Sequence, residues 1–189
     1  MSEFKNVTKK YGDRAVLESF SLTLPTGVTA VMGESGSGKT TLLRIAAGLT
    51  APDGGEFIHE GEIAVMFQEP RLLPWKTARE NVCAVLAKGQ KSLADKYLSA
   101  VGLADAAEKL PSELSGGMAQ RVAFARFLAY AEEKNATLLL LDEPFSALDS
   151  ETSEKMIALL KKFAKNKTTL LVTHDESDAE SLADRIVRL

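Results

Sequence analysis

The sequence predicts an α/β protein built on a parallel sheet, and three observations lead to this class. Strand-like and helix-like segments alternate in the second half of the chain, which is typical of a parallel sheet with helices packed against it. Residues 137–141 form a continuous apolar run, as expected for a strand that is buried on both faces. A long helical stretch, from residue 77 to about residue 131, interrupts the alternation and has the pattern of an insertion into the sheet.

The N-terminal region is expected to be β structure. Strands are predicted over residues 4–7, 17–24 and 28–32, with turns at residues 11–13 and 25–27. A helix over residues 41–47 follows the third strand. Beyond the turn at residues 52–55, short strands are predicted at residues 56–58 and 63–67.

The helical stretch is broken at Gly89, at Gly102 and over residues 111–117. After the apolar strand, residues 150–163 carry apolar side chains at helical spacing, which predicts a helix with one core-facing stripe. A strand over 168–173, a helix over 176–183 and a short strand over 185–189 complete the prediction.

Composition and charge narrow the class of protein. The 189 residues suffice for one domain, and 45% hydrophobic with 26% charged residues is ordinary for a soluble globular protein. A net charge of −3 gives no reason to expect bulk attraction to nucleic acid or anionic lipid. The single cysteine, Cys83, excludes an internal disulfide and is expected to be a small buried hydrophobe rather than a reactive thiol. Without a signal peptide or a membrane-spanning run, the chain is expected to be cytoplasmic.

The most specific motif is the glycine-rich segment 33–40, which fits G-x-x-x-x-G-K-[ST] between a predicted strand and a predicted helix. Its glycines let backbone N–H groups approach phosphate oxygens, Lys39 supplies a cation, and the Thr40 hydroxyl can hold Mg²⁺. The alternative, a glycine-rich turn without this role, is much less favoured by that context. The motif predicts binding of a nucleoside triphosphate. The candidate binding residues are Gly33, Glu34, Ser35, Gly36, Ser37, Gly38, Lys39, Thr40 and Thr41.

Polar residues follow three of the predicted strands. Asp142 and Glu143 follow the apolar run. At this strand end Asp142 can bind Mg²⁺, and Glu143 can orient or deprotonate a water molecule. The alternative for this acidic pair is a solvated turn or a helix cap. His174 could donate to a terminal phosphate, although a histidine there more often caps a helix or lies on the surface. Gln68 follows a shorter strand and is a weak signal alone. His59, in a polar turn, is expected to be solvated.

A second anion-binding segment is predicted at the start of another helix. Ser115, Gly116 and Gly117 precede a helical pattern, and N–H groups at a helix start bind anions. One nucleotide has little use for two cradles in one small domain, so we expect this segment to serve a nucleotide on another copy of the chain. The alternative is a serine N-cap followed by permissive glycines.

With these motifs in this order, the chain resembles the ATPase subunit of ATP-binding cassette transporters over essentially its whole length. The resemblance implies a P-loop NTPase (RecA-like) parallel sheet with an N-terminal antiparallel β subdomain and an inserted α-helical subdomain, at approximately residues 70–131 of a single domain 1–189. It implies ATP and Mg²⁺ as ligands, with Thr40, Gln68 and Asp142 at the metal and Glu143, His174 and Gln68 as catalytic residues. It also implies that Tyr11 stacks on adenine and that Asp149 belongs to a loop, residues 146–149, that crosses a dimer.

A finer resemblance concerns the transported solute. Residues 67–75 and 117–121 look like the nitrate, sulfonate and taurine importer subgroup, although many cassettes have glutamine where Met118 stands. Residues 71–75 form an apolar and cationic patch beside Gln68. If exposed, the patch suits a helix of a partner; if buried, it belongs to the core of the helical subdomain.

The resemblance indicates the expected partners, and two alternative functions remain open. We expect a homodimer or paired ATPase subunits, transmembrane permease subunits contacted near residues 68–75, a substrate-binding protein met only indirectly, and no nucleic acid. The chain would then lie on the inner face of the plasma membrane and power import of a small anionic or organic solute. Because the segment between Gly55 and Gln68 is short and the sequence stops at Leu189, we expect no built-in regulation. The rivals are a cassette ATPase acting on DNA or the ribosome and a P-loop kinase.

Overall fold

The structure, a computed structural model, describes residues 2–189 and divides into two units. The first unit comprises the chain up to Val65, Thr137–Glu143 and Ala164–Leu189. The second comprises Met66–Ala136 and Pro144–Phe163. The strands are β1 (Ser2–Tyr11), β2 (Arg14–Leu24), β3 (Gly27–Met32), β4 (Gly54–Ile58), β5 (Ile63–Met66), β6 (Leu138–Asp142), β7 (Thr168–Val172) and β8 (Arg185–Arg188). The helices are α1 (Lys39–Ala46), α2 (Ala78–Cys83), α3 (Lys91–Ala100), α4 (Gly116–Glu133), α5 (Ser150–Ala164) and α6 (Glu176–Leu182).

A three-stranded antiparallel sheet, in the order β2-β1-β4, forms the N-terminal part of the first unit. The turn between β1 and β2 contains Gly12 at φ 60°, a left-handed conformation that glycine adopts without a steric penalty. Phe4 is fully buried, and its ring centroid lies 6.0 Å from Phe20 and 4.5 Å from Phe57. The predicted antiparallel β region is therefore present, with strands longer than the sequence pattern indicated.

The second sheet has five strands in the order β5-β6-β7-β3-β8, with parallel pairing of β6 to β7, β7 to β3 and β3 to β8. Every residue of β6 is buried, which explains why its first four residues are all leucine before the strand ends at Asp142. This confirms the predicted α/β class with a parallel sheet. Because parallel strands end at one edge, the residues after β3, β6 and β7 are brought to the same side of the sheet.

Helices dominate the second unit. A capping box begins α2, in which Thr77 and Glu80 each accept a hydrogen bond from the other's backbone N–H. The long helix α4 packs Phe124 edge-on against Phe145, with 5.9 Å between ring centroids. Cys83 ends α2 half-buried, and burial raises the pKa of its thiol, which disfavours the reactive thiolate. No helix in the described residues 2–189 has the length and apolar character needed to cross a bilayer.

The expectation that His59 is solvated is wrong. The ring is half-buried, with Nδ1 2.8 Å from the Ser2 hydroxyl and Nε2 3.3 Å from the Thr137 hydroxyl. It also stacks at 6.5 Å on Phe57. Burial lowers the pKa of His59 from its ordinary 6.5. The local sequence is polar, but the partners come from distant segments that the sheet brings to this turn.

This environment predicts a pH-dependent stability. Because the folded-state pKa of His59 lies below the unfolded value, the folded protein takes up a proton less readily than the unfolded chain. The free energy of unfolding should therefore fall as the pH drops below about 7, and His59→Gln should flatten the fall between about pH 7 and 5. Denaturant titrations at several pH values measure this. The matched control is His174→Gln, which changes the only other histidine; an identical slope for His59→Gln and the wild type would contradict the assignment.

Candidate functional site

The glycine-rich segment 33–40, called the phosphate loop from here on, leads from the end of β3 into α1 in the first unit. Gly36 and Gly38 have φ of 79° and 104°, which a side chain at either position would strain. A Cβ on Gly38 would also lie 2.9 Å from a methyl carbon of Val16. Gly38 is the N-cap of α1 and has no side-chain cap, so the first N–H groups of the helix have no side-chain acceptor at the cap. Such a cradle of N–H groups suits an anion.

Lys39 and Ser37 give the loop its polar chemistry. Lys39 is only 7% exposed, and its Nζ donates to the carbonyl oxygens of Gly33 and Glu34 at 2.7 and 2.8 Å. Its positive charge is thus held within the loop. Within residues 2–189, the buried Ser37 hydroxyl has no hydrogen-bond partner. An unsatisfied buried hydroxyl and a held ammonium in the same loop fit a site that takes phosphate oxygens as ligands. The remaining loop residues Glu34, Ser35 and Thr40 are exposed, and Thr41 is half-buried.

A hydroxyl and a carboxylate meet at the end of β6. The Thr40 hydroxyl donates to Oδ1 of Asp142 at 3.5 Å, and Asp142 is 4% exposed. Burial raises the pKa of Asp142, and the nearby Glu143 adds to this effect, whereas the bond from Thr40 opposes it. A bound cation would replace the missing solvation of this carboxylate. The two oxygen donors are of the hard type that Mg²⁺ prefers, so the residues fit the expected ion.

Glu143 is held in an unusual backbone conformation next to Asp142. Its φ of 44° lies in the left-handed region, which costs a non-glycine residue about 1–2 kcal/mol. Its N–H donates to the carbonyl of Val172 on β7 at 2.8 Å, which maintains this conformation. Oε1 of Glu143 lies 2.8 Å from Nδ1 of His174. His174 is exposed and lies two residues beyond the end of β7. Strain of this kind concentrates at functional sites.

The β1–β2 turn reaches the phosphate loop through a residue that the sequence reasoning missed. Nη2 of Arg14 donates to the carbonyl of Gly36 at 3.3 Å. Tyr11 is the register partner of Arg14 across the hairpin and is 50% exposed. Tyr11 therefore lies at the hairpin end that approaches the loop. A lone arginine after a turn carries no motif, so no sequence signal pointed to it.

The second predicted cradle lies in the second unit. Ser115 is the N-cap of α4 and accepts a hydrogen bond from the N–H of Met118 at 3.2 Å, as the serine-cap alternative predicts. Space around Gly116 is open, whereas a Cβ on Gly117 would lie 3.3 Å from the carbonyl of Ala147. The glycine at 117 thus lets the loop 146–149 pack against the start of α4.

Asp149 ends that loop and orders the start of α5. It accepts hydrogen bonds from the N–H and the hydroxyl of Thr152, both at 2.9 Å. The bonds from Thr152 lower the pKa of Asp149. The side chain is therefore a fixed negative charge in an exposed position.

The sequence profile of the family described as "ABC transporter" matches residues 17–146. The chain belongs to the ABC transporter family. This membership agrees with the resemblance found in the sequence.

Relatives in the ABC transporter family share nearly the whole chain. The aliphatic sulfonates import ATP-binding protein SsuB of Cupriavidus necator is 45% identical over 97% of this chain and 64% of its own length. The protein of the same name from Mycobacterium avium is 45% identical over 99% of this chain and 76% of its own length. The chain spans between 58% and 76% of the length of such relatives.

A solved ABC cassette has the same fold. The ATP-binding cassette MJ0796, in a dimeric post-hydrolysis structure bound to ADP and Pi, matches with a TM-score of 0.89 and 35% identity. The match covers 100% of this chain and 94% of that one. The P-loop NTPase fold expected from the sequence is confirmed.

The segment after Gln68 in this ABC cassette is exposed in part. Gln68 and Arg71 lie at the surface, and Trp75 is 71% exposed. The Arg71 guanidinium lies 4.8 Å from the centroid of the Phe67 ring, a cation–π distance. The buried-core alternative for the patch is wrong for Arg71 and Trp75. Leu72 and Leu73 are half-buried.

The site residues of the sequence analysis thus fall into two groups. The first unit brings together the phosphate loop with Asp142, Glu143 and His174, and Tyr11 lies on the adjacent hairpin end. The second unit contains Gln68, Ser115, Gly116, Gly117 and Asp149. Gln120 of α4 was also missed: it is 1% exposed, and its Nε2 donates to the carbonyl of Pro144 at 2.9 Å.

Proposed function

We propose that this chain is the ATP-binding and ATP-hydrolysing subunit of an ABC importer. One observation supports the proposal: three features lie together at one edge of the parallel sheet. They are the phosphate loop with its buried Lys39, the buried carboxylate of Asp142, and the strained Glu143 paired with His174. A nucleotide cradle alone would serve any P-loop protein. The added carboxylate and imidazole supply what hydrolysis of the terminal phosphate requires.

Each residue has a role in that reaction. The loop N–H groups and Lys39 bind the phosphates, and Thr40, Asp142 and Gln68 would hold Mg²⁺, which neutralises charge that develops on the phosphates. Glu143 orients and deprotonates the attacking water. His174 keeps the Glu143 carboxylate in place and donates to the terminal phosphate when its ring moves from Glu143 to the nucleotide. Tyr11 stacks on adenine.

We further propose that two copies share each nucleotide. Ser115, Gly116 and Gly117 at the start of α4, together with Asp149, complete the site that the other copy's phosphate loop begins. The exposure of Ser115, Gly116 and Asp149 supports this arrangement, as does the dimeric state of the solved cassette MJ0796. A twofold contact provides both sites at once because each surface meets the same surface of the partner.

The membrane partner and the solute are inferred from the relatives. Their names describe sulfonate import, which supports a permease partner, a location on the inner face of the plasma membrane and a small anionic or organic solute. The exposed Trp75 and Arg71 supply a surface for a permease helix near residues 68–75. The relatives do not favour the alternative of an ATPase that acts on DNA or the ribosome.

Two assays test this function. The purified chain should release phosphate from ATP with Mg²⁺ present and stop when EDTA removes the ion. Adding its permease partner subunits, reconstituted in lipid vesicles, should raise the rate. No phosphate release in the presence of Mg²⁺ would contradict the ATPase assignment, and release that continues in EDTA would contradict the proposed metal site. An ATPase rate that does not change with the permease would contradict the importer assignment.

A further inference from the structure

Helix α4 holds the irregular segment that follows Gln68. Arg126 lies three turns into α4, and its Nη2 and Nη1 donate to the carbonyl oxygens of Pro70 and Arg71 at 2.6 and 3.1 Å. The guanidinium is half-buried, and burial lowers its pKa. Arg71 itself has φ of 45°, a left-handed conformation that a non-glycine residue keeps only when its surroundings hold it. The guanidinium charge is met by backbone carbonyls of this one segment.

A second side chain holds the same segment from α2. Asn81 is fully buried and accepts a hydrogen bond from the N–H of Leu73 at 2.7 Å. The two N–H donors of its amide are shared among the carbonyl oxygens of Leu73, Lys76 and Thr77, which lie 3.2, 2.9 and 3.0 Å from Nδ2. Residues 70–76 form neither helix nor strand, yet two side chains satisfy much of their backbone. The segment is a fixed part of the second unit, and its exposed end is Trp75.

We propose that Arg126 is a positioning residue that fixes residues 70–75 to α4, so that the proposed permease-contacting segment follows any movement of that helix. Ser115 begins the same helix, and eleven residues of helix separate the two positions by about 17 Å. One rigid helix therefore carries at its start the residues proposed to meet the other copy's nucleotide and, further along, the anchor of the exposed segment. The coupling of the nucleotide site to the permease surface through α4 rests on the proposed function. The anchoring of residues 70–75 by Arg126 does not.

Trp75 is the only tryptophan in the chain, so its fluorescence reports on this segment alone. The anchoring can therefore be measured without nucleotide. In Arg126→Gln, the fluorescence anisotropy of Trp75 should fall and a nanosecond component should appear in its decay, since released loops move on that timescale. Exchange of the Leu73 amide should accelerate by about tenfold or more, because tenfold corresponds to loss of one hydrogen bond of ordinary strength and Arg126→Gln removes two bonds from a charged donor. Arg126→Lys, which keeps the charge but cannot span both carbonyls, should give a smaller change of the same kind.

The matched control is Arg121→Gln on the same helix. Nη1 of Arg121 donates to the carbonyls of Val101 and Gly102 at 3.0 and 3.5 Å, so it anchors a different segment. This control should leave the anisotropy of Trp75 at the wild-type value. Unchanged anisotropy in both Arg126 variants, or an equal loss in Arg121→Gln, would overturn the proposal. If Arg126→Gln does not fold, Arg126→Lys decides between these outcomes.

A second readout addresses coupling. With the permease pair in vesicles, Arg126→Gln should keep the basal rate of ATP hydrolysis and lose the stimulation by permease. Loss of stimulation with a rigid Trp75 would contradict the anchoring mechanism. If the wild type hydrolyses no ATP, the proposed function fails while the anisotropy result stands, so the two failures are distinguishable.

Discussion

Replacing Glu143 by glutamine is expected to lower the turnover of ATP by about a thousandfold, within the usual range for loss of a general base. The amide keeps the size of the side chain and can still contact His174, which lies 2.8 Å away, but it cannot take a proton from water. The affinity for ATP should be unchanged because Lys39 and the loop remain intact. Phosphate release and binding of a fluorescent ATP analogue measure the two effects.

The same variant should accumulate as a nucleotide-bound dimer, visible by light scattering, because hydrolysis no longer opens it. Glu176→Gln is the matched control, since Glu176 is an exposed carboxylate of the first unit whose partner is Arg188 at 3.0 Å. That change should leave turnover near the wild-type value. Parent-rate hydrolysis by Glu143→Gln would show that Glu143 is not the base.

The Lys39→Met variant should bind ATP about a hundredfold more weakly, because hydrogen bonds from a charged donor contribute about 1.5–3 kcal/mol each. Methionine keeps the length of the side chain but removes the ammonium that now donates to the carbonyls of Gly33 and Glu34. Those carbonyls and the phosphates would then face each other without a cation between them. Turnover should fall with affinity, since the same charge stabilises the terminal phosphate in the transition state.

Calorimetric titration with ATP and Mg²⁺ measures this loss. Lys155→Met is the control, because Lys155 is exposed on α5 and pairs with Glu151 at 2.7 Å. It should bind ATP as the wild type does. Equal affinity of Lys39→Met and the wild type would remove Lys39 from the phosphate site.

The sequence predicted the parts of the site whose chemistry is local. The segment 33–40 is one uninterrupted motif, and Asp142 and Glu143 follow an apolar run that only a buried strand explains. The edge at which they meet His174 follows from the rule that parallel strands end on one side. These residues could be placed without coordinates because connectivity alone brings them together.

Other contacts depend on register and packing between distant segments, which no local pattern encodes. The two partners of His59 lie 57 and 78 residues away, and the carbonyls held by Arg126 lie 55 and 56 residues from it. Arg14 reaches Gly36 only because the hairpin of β1 and β2 has its particular register. In each case the residue type is common and its neighbours in sequence give no sign of the partner.

Mixing two inactive variants tests the shared site most directly. Lys39→Met disables the phosphate loop and Ser115→Arg blocks the start of α4, so each should be inactive alone. In an equal mixture, half of the dimers contain one chain of each variant. In such a dimer, one of the two sites combines an intact phosphate loop with an intact Ser115. About a quarter of the wild-type activity should therefore return. A mixture of Lys39→Met with Glu143→Gln, which damages the same side twice, should stay inactive. Full activity of Ser115→Arg alone, or no recovery in the first mixture, would contradict a site completed by the second copy.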